Sequence, residues 1–174
     1  MKHKKRHLSH QEFKQLVQAL PLRWRDYVVV MAMAGLSIGE IYLLHSDDVD
    51  LTTTRLVVRG RSERIVPISA HVASILRRRA RGREYVFEPW HNVGRQLGEA
   101  CRAAKVPLIS TDDLRRSFVN WLHEAGVSFE VVASLVGRGG STFVVDAYSV
   151  GIVEMRDAVS RLSLVVEGES HGEA

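Results

Sequence analysis

Apolar residues recur at spacings of three and four along most of the chain, the signature of helices with one buried face, and the period drops to two in one central stretch. Ser9 with Glu12 has capping-box spacing, and Phe13, Leu16, Val17 and Leu20 form the buried stripe of the helix it starts, which Pro21 closes. A more uniformly apolar helix from Arg23 to Ala34 is expected at the centre of the fold, with Gly35 ending it. Ser37 with Glu40 repeats the cap and starts a short helix through Ile41, Leu43 and Leu44. The change of period falls at Arg55–Arg59 and Glu63–Ile68, two β-rich segments around Gly60-Arg61-Ser62, which predict a hairpin.

Ser69 caps the next helix, through Val72, Ile75 and Leu76, which ends in Arg77, Arg78 and Arg79, where cations suit the helix dipole. Tyr85-Val86-Phe87 is a short apolar link. A further helix is predicted from Trp90 to Ala104, with Val93, Leu97, Ala100 and Cys101 inward, which makes Cys101 a small core residue. Two amphipathic helices follow, joined at Gly126 and ending at Gly137. Leu114, Phe118, Leu122 and Ala125 share one face of the first, and Val131, Val132, Leu135 and Val136 that of the second. Ile152, Met155, Val159 and Leu162 mark the last helix. The predicted class is mainly α with a small antiparallel β-sheet.

A chain of 174 residues fits one domain, expected over residues 9–166, with a basic arm at 1–8 and a polar, disordered tail at 167–174. One cysteine excludes an intrachain disulfide, and the apolar run from Tyr27 to Leu36 is too short to span a bilayer. A soluble protein of the reducing cytoplasm, without a membrane partner, is expected. No His, Cys and carboxylate cluster has ligand spacing, so neither a metal nor a small-molecule cofactor is implied.

Charge changes the picture. The net charge is +4, carried largely by arginines in clusters: Arg59, Arg61 and Arg64; Arg77 to Arg83; Arg115 and Arg116. Planar guanidinium forks match phosphate oxygens, which points to a polyanion such as nucleic acid, although basic runs are more often solvated surface.

The stretch from Thr111 to Ser149 contains Asp112-x-x-Arg115, Leu135-Val136-Gly137-Arg138 and Ala147-Tyr148. In order and interval, together with Gly35-Leu36 and Val66-Pro67, it resembles the catalytic domain of the tyrosine recombinase (phage integrase) family over almost the whole chain. The resemblance implies that domain's fold, double-stranded DNA as partner, and metal-free strand cleavage by a tyrosine. Tyr148 would be the nucleophile, and Arg115 and Arg138 would stabilise the phosphate. It also implies substitutions. Ser37 stands where the family has an arginine, Arg59 where it has a general-acid lysine, Asp112 where it has a histidine, and Arg138 where it has a histidine or tryptophan. Tyr148 lies one position further from Arg138 than is usual.

An arginine, with a pKa above about 12, donates a proton poorly at neutral pH, and a carboxylate repels the charge that develops on a phosphate under attack. The resulting expectation is a DNA-binding protein with a degenerate, cleavage-deficient site, in which Arg59, Arg61, Arg64, Arg115, Arg116 and Arg138 hold the DNA backbone. Two alternatives stay open: an active recombinase cutting through Tyr148, and a modulator that binds a recombinase, or a second copy of itself, through the C-terminal helix. The family's N-terminal core-binding domain has no counterpart in these residues, which weighs against an independent recombinase.

Overall fold

In the computed structural model, which describes residues 6–60, 63–137 and 151–167 and side chains as far as 162, helix starts fall where the capping residues place them. Helix α1 (His10–Ala19) begins at Ser9, whose Oγ accepts from Glu12 N–H while the Glu12 carboxylate accepts from Ser9 N–H at 2.8 Å. Helix α3 (Ile38–Tyr42) begins the same way at Ser37, and α4 (Ala70–Ala80) and α7 (Phe129–Val136) at Ser69 and Ser128. Each such cap contributes about 1 kcal/mol by satisfying N–H groups that the helix itself leaves orphaned.

Helix α2 (Leu22–Ala34) is the axis of the domain, with every residue from Tyr27 to Ala34 buried. It packs against α4, against α6 (Thr111–Glu124) and against α8 (Ile152–Glu167), whose Ala158, Val159 and Leu162 close the core. Gly35 ends α2 in the left-handed region, at φ 64°, so its neighbour on α6 can approach closely. A Cβ there would lie 2.5 Å from the Phe118 ring.

The hairpin forms as predicted, with β2 (Arg55–Val58) antiparallel to β3 (Arg64–Pro67) and Leu56 opposite Val66. A two-residue strand that the pattern did not announce, β1 (Val49–Asp50), adds to the free edge of β2 and completes a three-stranded sheet in the order β1-β2-β3. Leu56, Val58 and Val66 turn inward, which is the period of two seen in the sequence.

Two expectations change. Helix α5 spans Val93–Ala103 and does not start at Trp90, because Asn92 before it takes a left-handed φ of 58°. Trp90 is a core residue stacked on Trp24 at 4.6 Å, its backbone N–H and carbonyl both bonded to the Tyr42 hydroxyl. The basic arm is also shorter than expected. Leu8 is fully buried, and residues 6–8 run along α6: Arg6 N–H donates to Asp113, Leu8 N–H to Ser117 Oγ, and Trp121 Nε1 to the Leu8 carbonyl. Trp121 and Ser117 thus join Leu114, Phe118 and Leu122 on a buried face wider than the apolar pattern alone indicated. Cys101 is buried, as expected. No helix among the described residues is long and apolar enough to cross a membrane.

Gly35→Ala should destabilise the domain by about 2–4 kcal/mol, from left-handed strain and the clash with Phe118 together. Urea denaturation checks this, and a change below about 0.5 kcal/mol, the range of neutral surface substitutions, would mean that α2 and α6 separate freely.

Candidate functional site

The site is built around Glu40, the third residue of the short helix α3. Its place there is fixed locally, since the carboxylate accepts from Ser37 N–H at 2.7 Å and Ser37 Oγ at 3.0 Å. The same side chain is the junction of two arginines from distant parts of the chain. Arg64 of β3 reaches Glu40 Oε1 at 2.6 Å and donates through Nε to the Leu135 carbonyl at 2.7 Å. Arg115, one turn into α6, reaches Oε2 at 2.8 Å and donates to the Val136 carbonyl. Both carbonyls belong to the last turn of α7, where helix geometry leaves acceptors open. One carboxylate therefore ties α3, β3, α6 and α7 together.

Burial pushes the Glu40 carboxyl up, but the hydrogen bonds from Arg64 and Ser37 and the two guanidinium charges outweigh it and hold the group below its ordinary value. Arg64 is only 7% exposed and acts as an internal strut, which is not the free DNA contact expected from its place in a basic cluster.

Arg115 is more open and lines a cleft of about 530 Å³. The wall is a helical stripe on α6, Asp112, Arg115, Arg116, Val119, Asn120 and His123, spaced at three and four. Arg6 and His7 of the N-terminal strap, Ser37 and Val136 complete the lining. Ser37 sits here as a helix cap, and Asp112 is exposed at the first turn of α6. Arg116 turns towards the fully buried Asp113, at 2.6 Å. Arg59 stands apart from this group: its Nε and Nη2 both hold buried Asp48 at 2.7 Å, a hydrogen bond and charge that raise its already high pKa. Arg61, Arg138 and Tyr148 lie outside the described residues, as do residues 168–174 of the expected tail, whose first residue, Glu167, instead ends α8.

The structure thus brings Ser37, Asp112, Arg115 and Arg116 together around one cleft. Sequence reasoning placed those four but missed Arg6, Asn120 and His123, and saw Glu40 only as a cap residue. For Asn120 and His123 a signal existed, since they lie four and seven positions after Arg116 on one helix face. For Glu40 the spacing was no help: its arginines are 24 and 75 positions away.

Helices packed around a short antiparallel sheet, with an α6 arginine at the mouth of a polar cleft, form the architecture of tyrosine recombinase catalytic domains. The phage integrase family's sequence model matches residues 6–148, and the chain belongs to that family. Tyrosine recombinase XerA of Thermococcus kodakarensis is 29% identical over 91% of this chain and 63% of its own length. Among solved structures, the integrase from mycobacterium phage Brujita superposes with a TM-score of 0.76 at 22% identity, covering 93% of this chain and 59% of the integrase. The Tn1549 transposon integrase, solved in complex with circular intermediate DNA, gives 0.69 at 16% identity over 90% of this chain and 64% of the other. The chain spans about three fifths of the length of these relatives.

Glu40 generates a pH prediction. A carboxyl whose folded pKa is depressed contributes stability above its unfolded pKa, about 4.3, and that contribution is lost as pH falls through the folded value. Glu40→Gln should cost about 3 kcal/mol at pH 7, by leaving two largely buried guanidiniums short of a counter-charge. The gap between wild type and variant should narrow when urea midpoints are compared at pH 3. A gap independent of pH would show that packing, and not the ion pairs, sets the cost.

Proposed function

We propose that the protein binds duplex DNA through the cleft at Arg115 and the surrounding arginines, and that it cleaves strands poorly. The observation that carries this reading is the composition of the cleft, where Arg115 is flanked by Ser37 and Asp112. Attack of a tyrosine oxygen on a phosphodiester builds negative charge on the equatorial oxygens, and preorganised donors must meet it. Ser37 spends its hydrogen bonds on Glu40 and on its own helix, and Asp112 adds a negative charge at the rim. Loss of one such donor costs about 2.7–4 kcal/mol of transition-state stabilisation, a factor of hundreds to thousands in rate.

DNA binding makes a smaller demand. A guanidinium that meets a phosphate displaces counterions whether or not the bond is cut, and such contacts give affinity with little sequence information. Arg115 and Arg116 in the cleft, together with Arg59 on its separate Asp48 pairing, Arg61 and Arg138, are the residues assigned to this role. Membership of the family, and relatives whose structures contain DNA, support the same partner.

A second reading is favoured by one finding: the family match runs through Arg138 and ends at Tyr148. Strand cleavage through Tyr148, with Arg115 and Arg138 as phosphate donors, is its content. The two readings part on one experiment, binding of labelled duplex across a salt series with a denaturing gel on the same samples, using a nicked suicide substrate to trap a covalent adduct. The first predicts affinity that falls linearly with log salt, no adduct, and unchanged binding by Tyr148→Phe. An adduct that disappears in Tyr148→Phe would replace it with the second, and absence of any salt-dependent binding would sink both.

A further inference from the structure

The cations around the cleft differ in how much of each remains for a ligand. Arg115 gives Nη1 to Glu40 and Nη2 to the Val136 carbonyl, and Arg116 gives Nη1 to buried Asp113. Arg6 is placed differently. Its backbone N–H is pinned to Asp113 at 3.1 Å, so the start of the side chain is fixed against α6. Its guanidinium gives one donor, on Nη2, to Glu12 at 3.1 Å, and its buried Nε has no partner among the described residues. A guanidinium carries five N–H donors in a rigid fork. Arg6 and Arg116 each commit one guanidinium donor, but the carboxylate on Arg6 is the partly exposed Glu12, whereas that on Arg116 is the buried Asp113.

Ser37 lines the same cleft and offers no charge. Glu12, the carboxylate holding Arg6, is about a quarter exposed, so exchanging it for a phosphate oxygen returns it to water and leaves no buried charge unpaired. We propose that Arg6 supplies the second guanidinium at a DNA backbone phosphate bound in this cleft, beside Arg115, in the role that a serine at position 37 cannot fill. The inference rests on the DNA-binding reading above. It makes the strap at residues 6–8 part of the binding surface as well as part of the core: the hydrogen bonds of Leu8 to Ser117 and Trp121 hold the backbone from which Arg6 reaches the cleft. The carboxylates near Arg6 are Glu12 on α1 and Asp113 and Asp112 on α6, and the guanidiniums of Arg115 and Arg116 line the same cleft.

The test is the salt dependence of duplex binding by wild type, Arg6→Ala, Arg6→Lys and the double variant Arg6→Ala/Ser37→Arg. Loss of one phosphate contact lowers the slope of log K against log salt by about 0.9. Arg6→Ala should show that decrease with about tenfold weaker binding at low salt, while Arg6→Lys keeps the slope. An arginine restored at position 37 should return both slope and affinity to the Arg6→Ala protein. Urea midpoints on each variant separate this from lost folding, and Ser37→Lys, a shorter change, replaces Ser37→Arg if that protein does not fold. An Arg6→Ala slope equal to wild type overturns the assignment while leaving DNA binding intact. Failure of the double variant to recover overturns the idea that the two positions serve one phosphate. Wild type that does not bind DNA removes the DNA reading itself, and the inference with it.

Discussion

The Glu40 carboxylate is the interaction on which the candidate site depends. It is held at short range by Ser37 and at long range by Arg64 and Arg115, and those arginines in turn close the open carbonyls at the end of α7. Four elements meet there, beside the hydrophobic core that their Ile41, Val66, Leu114 and Leu135 also enter. A carboxylate buried to this degree is tolerated only because it has two cationic partners and two neutral donors. The arrangement therefore fixes the position of Arg115 relative to α3, so the cleft is preorganised before any ligand arrives.

The same arrangement restrains the charge that the composition suggests. Arginine clusters in the sequence point to a polyanion, yet in the fold Arg59 holds Asp48, Arg78 and Arg79 hold Asp26, Arg116 holds Asp113, and Arg64 with Arg115 shares Glu40. Carboxylates placed by tertiary structure answer much of the local positive field. On the proposed reading, what a phosphate can reach is the more open Arg115, which shares Glu40 with buried Arg64, and Arg6, whose carboxylate partner is partly exposed. Affinity for DNA would, on that reading, depend on exchanging partners as much as on net charge, and exchange is least costly where the present partner is exposed.

Much of the fold was legible because the signals are local. Caps at Ser9, Ser37 and Ser69, the glycine stops at Gly35 and Gly137, and the period-two hairpin depend on residues within four or five positions of one another. The start of α5 was misread because Trp90 is apolar and in phase with the helix, whereas stacking on Trp24 holds it in the loop before it. The strap at residues 6–8 was read as a free arm because its charge masks Leu8, whose backbone partners lie more than a hundred positions away. Within the site, Ser37, Asp112 and Arg115 were found through family resemblance, and Glu40 as a junction was not, since no spacing rule relates a helix cap to arginines on a strand and another helix.

Position 37 shows how local stability and chemistry compete for one side chain. As a cap, Ser37 satisfies the Glu40 N–H and receives the Glu40 carboxylate on its own N–H, a contribution of about 1 kcal/mol that an arginine at that position would forgo. As a donor to a phosphate under attack, an arginine there would contribute roughly 2.7–4 kcal/mol, but only in the transition state. A protein that must cut and rejoin strands gains more from the second term. One that has only to fold and hold DNA gains from the first at every moment, and a cap at this position also steadies Glu40, the residue that orients Arg115. The serine therefore suits the proposed reading, in which the cleft holds a DNA phosphate and Arg6 supplies positive charge from elsewhere in the chain.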